Sequence, residues 1–481
     1  MRFLKVLFTA VCLSGVVSSA SALKIEITQG QVKATPIAIT NFYAPAANDA
    51  SKKGEELAKI ITYDLKTSGL FEPLNPAAFV QDSASLQQSP RFADWRILNA
   101  QCLLCGKVEE SGGQIKVQFR LFDVFKGEQL LGLELKVESS KWRRLAHMIA
   151  DEIYKRITGE EGYFNTKLAF IDESGPKGKR RVRRLSIMDY DGADVQHLTN
   201  GSSIVLTPRY APNNQQIAYL SYEEGAPQVF LYDLPSNSKK HLHTFAGYNM
   251  SFAPRFSPDS TEIVMSLQKG GSSAIYLMNI ATKKLTNLTQ HDAVTSTSSH
   301  HIDTSPCFSP DGSQIVFTSD RGGIENIYIM GRDGSNPHRV SFGGGKYSQP
   351  VWSPRGDLIA FTKMQGGVFY IGVMRPDGSD ERLITSGYLV EAPIWSANGR
   401  VLMYAKEERK GRAQLYAIDL TGRYEHKIKT PREASDGAWS QLLNRSEMSS
   451  NAGSKKTPVP AAPNRPAPAP AAPAPTAAAA A

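Results

Sequence analysis

The chain is poor in cysteine, in long apolar runs and in catalytic signatures, and each shortage removes a class of protein. Only four cysteines occur in 481 residues, and Cys102 and Cys105 form the sole C-x-x-C pair. Without a second pair there is no four-cysteine zinc site. Residues 99–108 read as a strand, where positions three apart point to opposite faces. A local redox disulfide is therefore disfavoured, and both cysteines read as structural. The one extended apolar run, residues 6–17, is too short to cross a bilayer. There is no G-x-S-x-G elbow, no H-E-x-x-H and no phosphate-cradling glycine loop, so the usual hydrolase, zincin and nucleotide-binding signatures are missing. His300-His301-Ile-Asp303 lacks a third spaced metal ligand and reads as loop surface or a partner contact. Asp189-Tyr-Asp-Gly-Ala-Asp194 resembles a shortened calcium loop without its distal glutamate. Arg332-Asp-Gly-Ser and Pro376-Asp-Gly-Ser occupy equivalent places, so it reads as a hairpin turn.

The ends carry two segments that cannot build a core. Met1-Arg-Phe-Leu-Lys5, the apolar run and Ala20-Ser-Ala22 have the order of a secretory leader, with cleavage expected after Ala22 and a soluble, exported, periplasmic product. Residues 443–481 are rich in proline and alanine and read as a disordered tether. The net charge of +9 falls to +7 without Arg2 and Lys5. Its densest run, Lys177-Gly-Lys-Arg-Arg-Val-Arg-Arg184, would suggest nucleic acid inside a cell. In an exported chain it reads as a solvated hairpin edge, and no nucleic-acid partner is expected.

What the chain does have is a repeat. Thr207-Pro-Arg-Tyr-Ala-Pro, Ala253-Pro-Arg-Phe-Ser-Pro-Asp, Ser305-Pro-Cys-Phe-Ser-Pro-Asp-Gly, Gln349-Pro-Val-Trp-Ser-Pro-Arg-Gly and Ala392-Pro-Ile-Trp-Ser-Ala-Asn-Gly share one phrase. The aromatic advances through Tyr210, Phe256, Phe308, Trp352 and Trp395 in steps of 46, 52, 44 and 43 residues, and Trp439 follows after 44 more. Each phrase precedes a short β-branched and aromatic run such as Ile315-Val-Phe-Thr318, with turn chemistry between them. A period in the forties with several strands per unit predicts a β-propeller. Six third strands can be counted. The first unit lacks the phrase and the last phrase, at Trp439, lacks a unit, so the final strand is expected to complete the first blade and close the ring.

Residues 23–162 have another texture: a strand at 36–40, a helix at 52–67 with Leu57, Ile60, Ile61 and Leu65 on one face, three strands up to residue 137, and a helical stripe from Trp142 to Ile157. The expected organisation is a leader (1–22), a small N-terminal α/β domain (23–162), an all-β six-bladed propeller (163–442) and the tail (443–481). The repeat aromatics read as blade core. Residues just upstream of each proline enter the innermost strands and gather at one mouth of the channel, where propellers bind. Candidates there are Asn249, Met250, Ser251 and Ala253, then Asp303 and Thr304, then Ser348 and Glu391, with Arg209 and Arg255 expected to reach the rim. Leu23-Lys24-Ile25-Glu26-Ile27-Thr28 alternates in polarity and could pair internally or add to a partner's sheet edge.

Pro36-Ile-Ala-Ile, Asp64-Leu-Lys-Thr-Ser-Gly-Leu-Phe71, Ala150-Asp-Glu-Ile-Tyr154 and Ile157-Thr-Gly, followed in order by blades such as Phe252-Ala-Pro-Arg-Phe-Ser-Pro258, resemble the TolB family of the Gram-negative Tol-Pal system over residues 23–442. The resemblance implies a non-catalytic periplasmic adaptor without cofactor. Its propeller mouth would bind the outer-membrane lipoprotein Pal, with Ala253 and Thr304 at matching positions. Residues Leu23 to Thr28 would engage the inner-membrane protein TolA. Other outer-membrane lipoproteins would be further partners, and the role would be envelope integrity and constriction at cell division. The long 289–304 loop, the degenerate Tyr210 and Trp395 phrases, the tail, and Cys102 with Cys105 depart from the family pattern. An exported propeller enzyme and a glycan-binding module are the competing expectations.

Overall fold

The computed structural model describes residues 34–45, 49–176, 181–245, 247–289, 301–409, 411–443 and 457–458. An N-terminal α/β unit is followed by six four-stranded antiparallel sheets. Helices α1 (Asp49–Thr67), α2 (Phe92–Ile97) and α3 (Trp142–Thr158) all lie in the first unit. None of the helices of the described residues is long and apolar enough to cross a membrane.

The N-terminal sheet orders its strands Phe71–Pro73, Thr35–Ile39, Cys102–Ser111, Gln114–Asp123 and Glu128–Glu138, with Thr457–Pro458 added at the last edge. The two pairings of Thr35–Ile39 are parallel and the hairpins that follow are antiparallel. Leu57, Ile61 and Leu65 of α1 are fully buried with Ile37 and Leu104 in one core cluster. Cys102 belongs to that cluster, whereas Cys105 packs on the opposite sheet face with Trp95 and Leu86. Both thiols are free, and burial raises Cys105 to about 11 and Cys102 to about 12. The sequence expectation missed the strand Phe71–Pro73, whose three residues pair only with a distant segment.

In each blade the strands run in chain order from the channel outwards, as in Met250–Phe256, Glu262–Lys269, Ser272–Asn279 and Leu285–Asn287. The first blade is the exception. Its innermost strand is the last of the propeller, Glu433–Trp439, paired antiparallel to Lys167–Ser174 with Trp439 opposite Leu168. The ring therefore closes with no open blade edge between first and last, as a circular array requires. The Ser-Pro-Asp-Gly turns are self-satisfied. Asp311 accepts from Ser309 Oγ at 2.5 Å and from the Ser313 N–H at 3.1 Å, which pulls its carboxyl down to about 2. Phe256, Phe308, Trp352, Trp395 and Trp439 are buried between blades, which makes them core and not a stacking platform. Tyr210 is only half-buried.

The N-terminal unit sits on one face of the ring, over the turns of blades five, six and one. Glu160, just after α3, pairs with Arg400 at 2.7 Å and with Arg355 at 3.4 Å. Asp64 of α1 lies 2.7 Å from His147 Nδ1 of α3, and both are buried. His147 Nε2 faces Asp191 at 4.0 Å, and Asp191 also pairs with Arg143. Thr67 and Tyr190 share a hydroxyl contact of 2.9 Å. Burial alone would depress His147, but Asp64, Asp191 and Asp189 hold it up to about 9. Burial raises Asp64 to about 6 against the pull of His147. The 189–194 segment is thus the expected hairpin turn, with the added job of gripping α3.

Candidate functional site: the two ends of the propeller channel

Every innermost strand is bent at the same place. Thr207, Ala253, Ser305, Gln349, Ala392 and Asp436 stand immediately before the repeat proline, or before Gly437 in the last copy, and all have φ between 46° and 55°. At each, three steps along the inner strand match two along its neighbour; Phe252 faces Ser266 and Arg255 faces Val264. The other five blades shift register at the equivalent point. One extra residue is therefore inserted per blade, a β-bulge that re-aims the chain. Left-handed backbone at a residue with a Cβ costs roughly 1–2 kcal/mol, so six copies in register mark a ring held in place by its surroundings. Bonds between blades do some of that holding: Gln349 Oε1 accepts from the Ala392 N–H at 2.8 Å, and Asp436 accepts from the Thr207 N–H at 3.3 Å.

Upstream of the bulges lies the mouth remote from the N-terminal unit. Five large apolar side chains stand exposed in its loops: Ile204, Tyr222, Ile302, Ile324 and Tyr388, each 38–55% accessible. They come from blades two and four and the entry to blade six. Sequence reading did not single them out, because only the topology assembles them on one face. A group of exposed apolar side chains with a polar rim has the character of a protein-docking surface. Between blades one, two and six the mouth deepens into a cleft of about 280 Å³ lined by Glu391, Asp436 and Leu206 among others. Burial raises the Glu391 carboxyl, and Asp436 and Glu407 add to the shift.

The predicted candidates divide between three environments. Asn249 is exposed at this mouth, and Met250, Ala253, Thr304, Ser348 and Glu391 are half-buried along the strands entering it. Ser251 and Asp303 are fully buried and present nothing to a partner. Ser251 Oγ accepts from the Val229 N–H at 3.1 Å and so joins two blades. Asp303 receives Arg321 Nη2 on both oxygens, at 3.1 and 3.0 Å, and shapes the rim from below. Arg209 and Arg255 do not reach the rim. They follow the bulge and line the opposite half of the channel. The extra residue at 207 and 253 is what redirects them. The described end of the basic run, residues 181–184, is less solvated than its composition suggests. Arg181 meets Glu433 at 2.6 Å and Glu173 at 3.3 Å, and Arg184 meets Asp172 at 3.8 Å. Ala22 and Leu23 to Thr28 lie outside the described residues, as does His300.

Beyond the bulges the channel widens into a cavity of about 350 Å³. Its wall is the ring of residues that follow the prolines and Gly437, namely Arg209, Arg255, Cys307, Val351, Ile394 and Ala438, together with the edges of the repeat aromatics. Pro212, Pro258, Pro310 and Pro354 form its lip.

Comparison with known proteins agrees with this architecture. The model of the TolB β-propeller domain matches residues 154–443, and that of the TolB amino-terminal domain matches residues 23–130. The Tol-Pal system protein TolB of Paramagnetospirillum magneticum is 49% identical over 443 residues, covering 91% of this chain and 96% of that protein. Its counterpart in Rickettsia bellii is 45% identical over 427 residues, covering 87% and 95%. The crystal structure of TolB from Acinetobacter baumannii superposes with a TM-score of 0.74 at 26% identity, covering 85% of this chain and 97% of that one. With both halves matched in order and nearly half of all residues shared with a full-length relative, the chain belongs to the TolB family.

Proposed function

We propose that the chain is a periplasmic, non-catalytic adaptor of the Tol-Pal system. It binds the lipoprotein Pal at the propeller mouth remote from the N-terminal unit and the inner-membrane protein TolA through residues 23–28. In this way it serves outer-membrane integrity and constriction at division. The observation that carries the reading is the mouth itself: exposed Ile204, Ile302, Ile324 and Tyr388 encircle a channel entrance whose six inner strands are bulged in register. Such a surface suits the docking of a partner protein. The leader-like residues 1–22, with cleavage after Ala22, support export.

Ala253→Arg tests the mouth. A long cation there should weaken Pal binding by about ten-fold or more, the effect of roughly 1.4 kcal/mol, while the melting temperature stays near that of the parent. Unchanged affinity in a folded variant would place Pal elsewhere. Deleting residues 23–29 should abolish binding of TolA's C-terminal domain and leave Pal binding intact. Persistence of TolA binding would refute the N-terminal arm of the reading.

A further inference from the structure

The cavity on the N-terminal-unit side of the bulges has an unusual charge balance. Its lining holds two arginines and, among the described residues, no aspartate or glutamate. Of the six equivalent positions, five after the repeat proline and one after Gly437, four are neutral and small or apolar. The two cations, Arg209 and Arg255, occupy neighbouring blades. Arg209 donates only to main-chain oxygens, to Pro208 O at 2.6 Å and Gly437 O at 3.5 Å. Arg255 makes no hydrogen bond or ion pair with any described residue. The pair stands in contrast to the rest of the ring, where Arg181, Arg321 and Arg332 each face a carboxylate.

Both side chains are half-buried, and a cation partly withdrawn from water favours a counter-charge, because its desolvation is penalised unless it is paired. Asp436, at the bulge of the neighbouring inner strand, is the one carboxylate among the described residues that acts on Arg209, and none acts on Arg255, while the two guanidiniums repel each other. Burial, followed by Arg255, pulls Arg209 down to about 9, so it remains charged at neutral pH. Burial also lowers Arg255. Water can fill a 350 Å³ space and solvate the donors, but it cannot neutralise them. Guanidinium groups are matched in geometry to planar or tetrahedral oxyanions, which accept two parallel N–H bonds.

We infer that this end of the channel is a binding site for a small oxyanion, a carboxylate or phosphate group, held between Arg209 and Arg255 behind the proline lip. The site is separate from the docking mouth, lies beyond the bulge ring, and faces the side on which the N-terminal unit sits. A ligand body attached to the anion would lie against Phe256, Phe308 and the other aromatic edges.

The test uses the full chain in a chloride buffer free of oxyanions, at constant ionic strength. Inorganic phosphate and citrate are titrated separately by calorimetry and by thermal melting, so that the phosphate and carboxylate sources are distinguished. Saturable binding near one equivalent of either probe is expected, and Arg255→Gln should weaken it by about ten-fold or more. Arg255→Lys keeps the charge but not the fork and should fall between. A second readout needs no ligand: in oxyanion-free buffer Arg255→Gln removes a repulsive cation and should leave the melting temperature unchanged or raise it. The inference is overturned if neither probe saturates. It is equally overturned if both probes raise melting in parent and Arg255→Gln alike, the general effect of excluded salts. It also fails if Arg255→Gln lowers melting by several degrees without any anion present, which would make Arg255 a structural residue.

Discussion

Removing the Trp439 indole tests ring closure with a magnitude that can be worked from its surroundings. The side chain is buried at the end of the last propeller strand. Its Nε1–H donates to Thr166 Oγ1 at 2.8 Å, its ring stacks on Tyr190 at 5.6 Å, and it meets Tyr163 edge-on at 5.8 Å. It thus holds three segments together: the closing strand, the first blade, and the connection from α3. A buried tryptophan hides roughly 200 Å² of apolar surface, which at about 25 cal/mol per Å² is roughly 5 kcal/mol. Thr166 keeps a second bond, to Tyr163 O at 2.8 Å, so no stranded hydroxyl adds to the cost. Trp439→Ala is therefore expected to lose about 3–5 kcal/mol, the usual range for such deletions. Trp439→Phe keeps a stacked ring and loses the N–H bond, for about 1–2 kcal/mol. Urea unfolding followed by circular dichroism gives the midpoints. Truncation after Thr430 goes further, removing the strand pairing and the Arg181–Glu433 bridge. It should abolish the cooperative transition of the whole ring. If Trp439→Ala stays within about 1 kcal/mol of the parent, well below any large-to-small core cost, the last strand does not close the propeller energetically and the argument fails.

Three further outcomes follow from the same geometry. Ala253→Gly relieves left-handed strain of roughly 1–2 kcal/mol, offset by glycine's entropy of about 0.5–1 kcal/mol; melting should rise slightly, and a fall would show that contacts of the Cβ outweigh the strain. Gly192→Ala places a Cβ 2.3 Å from Lys429 O at φ +87°, in the hairpin that grips α3, and should cost about 2–3 kcal/mol of urea stability; tolerance of alanine would mean that this hairpin can move away from blade six. His147 has its folded pKa raised to about 9 above the ordinary 6.5. Its stabilisation is therefore complete below pH 6.5 and is lost as pH rises through 9, a decline of up to about 3 kcal/mol. Asp64, raised to about 6, works in the same direction at lower pH, between 3.8 and 6. Urea midpoints at pH 6.5, 8 and 9.5 should fall for the parent and stay nearly level for His147→Gln; parallel profiles would exclude the Asp64–His147 contact as their source.

The ring was legible because its information is local and repeated. Each blade spells out its own turn and strands, and the orphan phrase at Trp439 needed only the unit lacking one at Leu168 to find its partner. The opposite faces of Cys102 and Cys105 were readable for the same reason, since strand alternation alone decides them. The helical stripe of α3 was also visible, but its meaning was only half visible. His147 belongs to no apolar stripe, and its partners Asp64 and Asp191 arrive from another helix and another domain. No spacing rule connects residues 83 positions apart.

The channel residues failed for a sharper reason. Alternation along the inner strand gives the facing of a side chain only while the register is unbroken. At Ala253 one residue is inserted, so a count begun upstream assigns the wrong direction to everything beyond the proline. That single insertion separates Ala253, which stays with the docking mouth, from Arg255 two residues later, which turns to the far cavity. Thr207 and Arg209 repeat the same division. A proline after a bulged residue looks, in sequence, like a proline at the start of a turn. The informative signal is the coincidence of five such prolines, with Gly437 in the sixth copy, at a fixed distance before the repeat aromatic, because a turn would vary in length between blades whereas a bulge locked to the core cannot.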